Sequence, residues 1–133
     1  MKDFITKVSL SFIAMLAPIH PVMISVGVLI FADTVFGIWA AHKRGERITS
    51  HRMGHTVGKM FAYQGVLVTG FFVQTHLLTD FIPVVKIIAG YIALVEFKSL
   101  LENASAILGK DIFKELIAQL GSKSNKNPED PKV

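Results

Sequence analysis

Long apolar segments alternate with short charged ones along this chain, and the pattern predicts membrane-crossing helices. A bilayer core about 30 Å thick needs about 20 apolar helical residues. Three segments meet this length, roughly residues 21–41, residues 60–79 and a third that starts near Phe81. Pro83 falls in the first turn of the third segment, where a missing N–H costs little. We therefore expect at least three spans.

The N-terminal segment leaves alternatives open. FITKVSLSFIAMLAPI has only 16 residues, which is short for a span. Phe4, Val8 and Phe12 follow helical spacing, as in a helix lying in the membrane interface. Lys2 and Lys7 ahead of an apolar stretch resemble a signal peptide, but the following LAPIHPV fits a cleavage site poorly. A short fourth span and an interfacial helix remain as the two main alternatives.

The last third of the chain turns from apolar to polar. Residues 96–108 continue the third span out of the membrane, and a short amphipathic helix follows, with Asp111 as its N-cap and Gly121 as its stop. Its apolar stripe requires cover from lipid, the bundle or another subunit. Residues 122–133 are predicted to be a disordered tail. The prediction is one all-α integral membrane domain over 1–121, with three to four transmembrane helices plus a C-terminal amphipathic helix, at approximately 4–18, 21–42, 57–79, 81–108 and 110–120.

Charge is scarce and confined to a few places. Charged residues make up 18% of the 133 residues and the net charge is +4. The basicity lacks the aromatic-studded groove of single-strand binders, so no nucleic-acid partner is expected. The chain has no cysteine, which excludes disulfides, thiolate metal sites and cysteine nucleophiles.

The basic residues between the first two long spans predict the orientation. This loop, residues 42–59, contains one acid, Glu46, and should stay in the cytoplasm, whereas the connector at 76–83 has no Lys or Arg. Four spans would put both termini in the cytoplasm and satisfy every basic cluster, so we favour four over three. The loop also suits contact with anionic lipids. Its basic residues are Lys43, Arg44, Arg47, Arg52 and Lys59.

A carboxylate lies deep inside the first long span. Asp33 is about 12 residues into it, where a charge costs several kcal/mol unless it is protonated or paired. We expect Asp33 to face protein or water and to pair with Lys59 or Lys98, from the same or a neighbouring subunit. The alternative is a protonated Asp33 bound to Thr or backbone. Gly37, one turn further, allows a neighbouring helix to approach closely.

Other polar residues within the predicted spans complete a candidate packing or pore-lining set. Gln64 and Gln74 are expected to bridge helices or to line a wet lumen. The full set is Asp33, Gly37, Gln64, Gln74, Glu96 and Lys98.

No pattern indicates catalysis or a cofactor. His51 and His55 are four residues apart, but no acidic ligand is close and the loop is rich in Arg, so we read them as solvated loop residues and expect no metal. The chain has no P-loop, no GxSxG and no HExxH motif, and we expect no enzyme activity.

The order of these features resembles the toxin-secretion/phage-lysis holin family. The similarity covers roughly residues 29 to 120, from the Asp33–Gly37 element through the basic loop to EFKSLLENAS and the terminal helix. The chain departs from the family pattern in lacking a proline before that helix. The positions that carry the similarity are Asp33, Gly37, Lys59, Glu96, Ser99, Glu102 and Asn103.

The resemblance implies a phage-encoded protein of the bacterial inner membrane. Such proteins form homo-oligomers that open a lesion, through which an endolysin or a large toxin crosses. Three other readings stay open: a virion-associated membrane channel, an antiholin-like regulator, and a small host transporter subunit, although the last would usually show repeats or broken helices.

Overall fold

The computed structural model describes residues 1–47 and 50–124, with the side chains of residues 50–52, 123 and 124 left out. Every regular element in these ranges is helical. Glycine at 109, in the left-handed conformation with φ of 68°, ends the fourth helix and redirects the chain into the fifth. The elements are α1 (Lys2–Leu16), a 3₁₀ turn (Ala17–Ile19), α2 (His20–Lys43), α3 (Ser50–Phe72), a π turn (Val73–Leu77), α4 (Val84–Leu108) and α5 (Ile112–Ser124).

Three helices, α2, α3 and α4, pack into a bundle. α2 and α4 run parallel and make the most extensive contact, while α3 runs antiparallel to both. Branched and aromatic side chains at helical spacing fill the core. With 24 residues, α2 is about 36 Å long, close to the thickness of a bilayer core. The buried core consists of Ile19, Val26, Ile30, Leu67, Phe71, Val85 and Ile92.

The first helix does not join this bundle. Every residue from Met1 to Ala14 is exposed, and α1 leads through the 3₁₀ turn into α2 without folding back against it. A span paired antiparallel with α2, as four-span topology requires, is therefore not formed within this single chain. Ile19, at the end of the turn, is buried in the core and holds the start of α2 in place.

Several helix boundaries differ from the sequence prediction: α3 ends at Phe72 and α4 begins at Val84, against predicted bounds of 79 and 81. α3 begins at Ser50 rather than near residue 57, so His55 and Lys59 lie on a helix and not in a loop. The predicted stop at Gly121 is not used, because α5 continues to Ser124. Gly121 stays helical and does not adopt the left-handed conformation with which Gly109 ends α4. The Asp111 cap is present: its carboxylate accepts the Lys114 backbone N–H at 3.2 Å, which lowers the pKa of Asp111. Most of the predicted tail, residues 125–133, lies outside the described residues.

A single amide organises the turn between α3 and α4. Gln74 Oε1 accepts the backbone N–H of Val85 at 3.0 Å, and Gln74 Nε2 donates to Asp80 Oδ1 at 3.1 Å. Thr79 and Asp80 adopt positive φ in this turn. The side chain thus satisfies one of the orphan donors at the start of α4. Gln74 bridges two helices as expected, but at the end of the bundle and not along its length.

We expect Gln74→Leu to lower the stability of the bundle by about 1–2 kcal/mol, because it leaves the Val85 N–H without its acceptor. The midpoint of thermal unfolding in detergent micelles measures this. Gln119→Leu, on the exposed surface of α5, is the matched control. An equal loss in both variants would contradict a capping role.

By length and composition, one helical stretch in the described part of the chain could cross a membrane. It is Lys2–Lys43, which combines α1 and α2. The apolar stretches of α3 and α4, both predicted as spans, are interrupted by polar residues such as Lys59, Gln64 and Glu96. Lys59 and Glu96 meet in the interior of the bundle.

Candidate functional site: a buried ion cluster

Three helices contribute one charged side chain each to a cluster halfway along the bundle. Lys59 Nζ on α3 donates to Glu96 Oε2 on α4 at 2.7 Å and to Asp33 Oδ2 on α2 at 3.3 Å. Asp33 is about 20 Å along α2 from His20, near the middle of the bundle. The helices that form the bundle are therefore joined by a three-membered ion cluster.

An amide completes the coordination of Asp33. Asn103 Nδ2 on α4 donates to Asp33 Oδ1 at 2.9 Å. Gly37 lies one turn after Asp33, and a Cβ added there would come within 3.4 Å of the Asn103 amide nitrogen. The missing side chain at Gly37 therefore leaves room for Asn103 to reach the carboxylate. Thr34 donates to the Ile30 carbonyl at 2.7 Å, so its hydroxyl proton is not available to Asp33.

Both carboxylates are removed from solvent. Asp33 is 8% exposed and Glu96 1%, whereas the Lys59 side chain is 21% exposed. With both carboxylates ionised, the cluster carries one uncompensated negative charge, since a single ammonium faces two anions. Glu96 Oε1 is buried without a hydrogen bond of normal geometry among the described residues, and the Tyr63 side chain interacts with the same carboxylate. A buried charge of this kind is expensive in an apolar medium.

A polar cavity leads from the loop end of the bundle to the cluster. Its volume is about 460 Å³, and it is open on one side. Asp33 and Lys59 line it together with Ser99 and Asn103, while Arg44 and His55 line it nearer the loop. The cavity gives the buried charges a polar route to the end of the bundle that carries the basic loop.

Six of the seven positions behind the family resemblance meet here. Glu96, Ser99 and Asn103 follow the spacing i, i+3, i+7, which places them on one face of α4. Asp33 and Gly37 share a face of α2 in the same way. Glu102 does not take part: it is exposed and lies 3.6 Å from Lys98 on the outer surface of α4.

Of the two predicted partners of Asp33, Lys59 forms the ion pair and Lys98 does not. Lys98 faces outward and pairs with Glu102, so it does not approach Asp33. Lys59, assigned to the solvated loop as well as to the pair, belongs to the bundle interior. Gln64 Nε2 donates to the Met23 carbonyl at 3.0 Å and bridges α3 to α2.

The remaining basic residues of the loop have separate surroundings. Lys43 Nζ donates to the Ile107 carbonyl in the last turn of α4. The helix dipole stabilises a cation at this end of a helix. Arg44 Nε pairs with Glu46 Oε1 at 2.7 Å, and this hydrogen bond raises the pKa of Arg44. Arg47 is exposed, and the Arg52 side chain lies outside the described residues.

The sequence did not identify Glu96 and Asn103 as partners of the Lys59–Asp33 pair. The i, i+3, i+7 spacing of Glu96, Ser99 and Asn103 was the available signal, since it marks a polar stripe on an otherwise apolar helix. Within residues 1–47 and 50–124, no three His, Cys, Asp or Glu side chains gather in a way that would hold a metal ion.

We expect Gly37→Leu to displace the Asn103 amide and break its hydrogen bond to Asp33. The cost should be about 1–3 kcal/mol, as for other overpacked positions, and the thermal midpoint in detergent should fall. Gly58→Leu is the control, because a Cβ at Gly58 meets nothing within 4 Å. That variant should be neutral or slightly stabilising, since it removes a helix-interior glycine. An unchanged midpoint in Gly37→Leu would refute the close approach.

Comparisons with known proteins give one result. The family model described as the bacteriophage holin family matches residues 11–122, which is most of the chain and includes the whole cluster. Comparison with curated proteins and with solved structures finds no significant match. The family match and the arrangement of the motif residues agree with the resemblance seen in the sequence: the chain belongs to the bacteriophage holin family.

Proposed function

We propose that this protein is a holin that oligomerises in the bacterial inner membrane and opens a hole. An endolysin or a large toxin would cross through it, which leads to lysis or secretion. The observation that carries the proposal is the buried Asp33–Lys59–Glu96 cluster, at mid-bundle in a chain of a family that forms pores and is not enzymatic.

The cluster supplies a physical reason for two alternative states. In the closed bundle the charges face one another, away from lipid, and satisfy most of their hydrogen bonds. If both carboxylates are ionised, one of them is uncompensated, and the closed state then carries an electrostatic cost. If several copies turn these faces toward a shared lumen, water solvates the same groups and the cost disappears. The charged groups inside the closed bundle would then line the lumen of the open assembly.

The bundle also fits a multi-pass arrangement. α2, α3 and α4 alternate in direction, and each exposes apolar side chains on its outer surface, as a lipid-facing helix does. The C-terminal ends of α2 and α4 meet the basic loop at the same end. Basic loops stay in the cytoplasm, so this end would be cytoplasmic, with α5 beside it.

Inducible expression in a bacterium, with and without a leaderless endolysin in the cytoplasm, tests the proposal. Culture density and membrane potential are followed together. A holin gives abrupt depolarisation, with lysis that depends on the endolysin. Growth with full membrane potential would contradict the proposal and favour an antiholin-like regulator. Co-purification with phage particles without host toxicity would favour a virion-associated channel.

A further inference from the structure

In the single chain, α1 is an apolar helix that packs against nothing, and together with α2 it is longer than a bilayer core is thick. The stretch Lys2–Lys43 has 42 residues, about 63 Å of helix, against a bilayer core of about 30 Å. α2 already spans that thickness, so a straight α1 would project beyond the membrane. It would expose large side chains such as Phe4 (71% exposed) and Ile13 (65%) to water. Something must cover this helix.

An open apolar groove lies on the outer surface of the bundle between α3 and α4. Its volume is about 530 Å³, and its lining includes Ala62, Gly65 and Thr69 of α3 and Val84 and Ile88 of α4. A Cβ added at Gly65 would meet nothing within 4 Å, so the groove is open to a neighbouring helix at this residue. The Thr69 hydroxyl donates to the Gly65 carbonyl at 2.9 Å and leaves no unsatisfied donor in the groove.

The groove and α1 match in length and in position. Along α3 the groove extends from Phe61 to Val73, about 18 Å, and α1 with 15 residues is about 22 Å long. The groove also reaches the end of the bundle from which α1 departs, because Val73 and Val84 lie at that end. Pro18 and Pro21 lack the N–H groups that would hold the helix straight there.

The α1 of the same chain cannot reach this groove. No residue of α2 lines it, so a helix seated there would lie about 15 Å from the α2 axis if neighbouring helices are 8–10 Å apart. Ile19 is buried in the core, which leaves only Ala17 and Pro18 as a connector. Two residues span at most about 7 Å.

We propose that α1 bends at Ala17–Pro18 and seats in the α3/α4 groove of a neighbouring copy of this chain. The stripe formed by Phe4, Val8 and Phe12 faces the groove. Asp3 lies on the other side of the helix, and Lys7 lies at the edge of the stripe, one turn from Phe4. Small groove residues allow the close helix approach that drives association in lipid. Each chain both donates an α1 and accepts one, so the contact is head-to-tail and generates rings or open chains.

This proposal rests on the proposed function for its membrane setting and deepens it, since it names the contact that joins the subunits. It also supplies the fourth span that the single chain does not form. Leu16 would lie level with Val73 and Phe12 level with Thr69, with Lys2 about 20 Å deeper, toward the cytoplasmic side.

Disulfide cross-linking in membranes tests the contact directly, because the chain has no native cysteine. Phe12→Cys combined with Thr69→Cys should give a ladder of dimers, trimers and larger species on oxidation. The control pair is Phe12→Cys with Ile24→Cys, since Ile24 lies at a similar depth on an exposed face of α2. That pair should give no ladder. An intramolecular product would overturn the exchange between copies, and no product at all would mean that lipid covers α1.

A groove-filling variant separates the contact from the lytic function. Adding Gly65→Leu to the Phe12/Thr69 cysteine pair should reduce the ladder about tenfold, because the leucine occupies the seat of α1. Gly90→Leu makes the same change on an exposed position of α4 outside the groove and should leave the ladder intact. Equal ladders in both would overturn the proposal. A ladder without depolarisation or lysis in the parent chain would uphold the helix exchange and reject the holin function.

Discussion

Replacing Lys59 by Met should destabilise the bundle more than any other single change at its charged positions. The substitution keeps most of the length of the side chain but leaves the Asp33 and Glu96 carboxylates facing each other without a cation. Removing one partner of a buried ion pair costs about 3–5 kcal/mol, and the partial exposure of Lys59 puts this case near the lower end. The expected result is a large fall in the thermal midpoint in detergent and little folded protein in the membrane.

A matched lysine and a compensating change make this test specific. Lys98→Met breaks an exposed pair with Glu102, 63% exposed on both sides, and should change the midpoint very little. Adding Glu96→Gln to Lys59→Met removes one of the stranded charges and should recover part of the loss. Additive losses in the double variant would show that Lys59 and Glu96 do not interact.

Asp33→Asn should preserve the fold while delaying or abolishing hole formation. Lys59 keeps Glu96 as a partner at 2.7 Å, so the cluster becomes a neutral pair and the bundle should stay folded. If two ionised carboxylates around one lysine raise the energy of the proposed closed state, that excess charge is then absent. Each 1.4 kcal/mol of added stability in the closed state slows opening about tenfold. Depolarisation after induction should therefore occur much later than in the parent protein, at equal membrane levels.

Glu102→Gln is the matched control for this prediction, since Glu102 is an exposed acid whose only described partner is Lys98. It should leave the time of depolarisation unchanged. If Asp33→Asn also depolarises at the parental time, the charge at Asp33 does not drive opening. Earlier depolarisation would mean that the Asp33–Asn103 contact mainly holds the closed state together.

Several features of the fold could be anticipated from particular residues. The apolar lengths predicted the helices, and the position of Asp33 in an apolar stretch predicted that it would face protein. From the sequence, the side chains of Lys59 and Lys98 were equally able to reach Asp33. Only the rotation of α3 and α4 about their axes shows which lysine faces it. Lys98 is two residues beyond Glu96, which on a helix points it to a different face, so one residue lies in the interior and the other outside. The start of α3 was missed because a polar, glycine-containing segment was read as a loop, although its residues are helical from Ser50.

Apolar length, charge segregation and motif order are local properties, and they were sufficient to predict a helical, membrane-directed chain of the holin family. The tertiary packing sets which polar residues share a site. It joined Asp33, Lys59, Glu96 and Asn103, which are up to 70 positions apart, and it left α1 without a partner within its own chain. Such outcomes depend on helix rotation, on axial offset and on the few residues that connect the helices. None of these can be read from the spacing within any one segment.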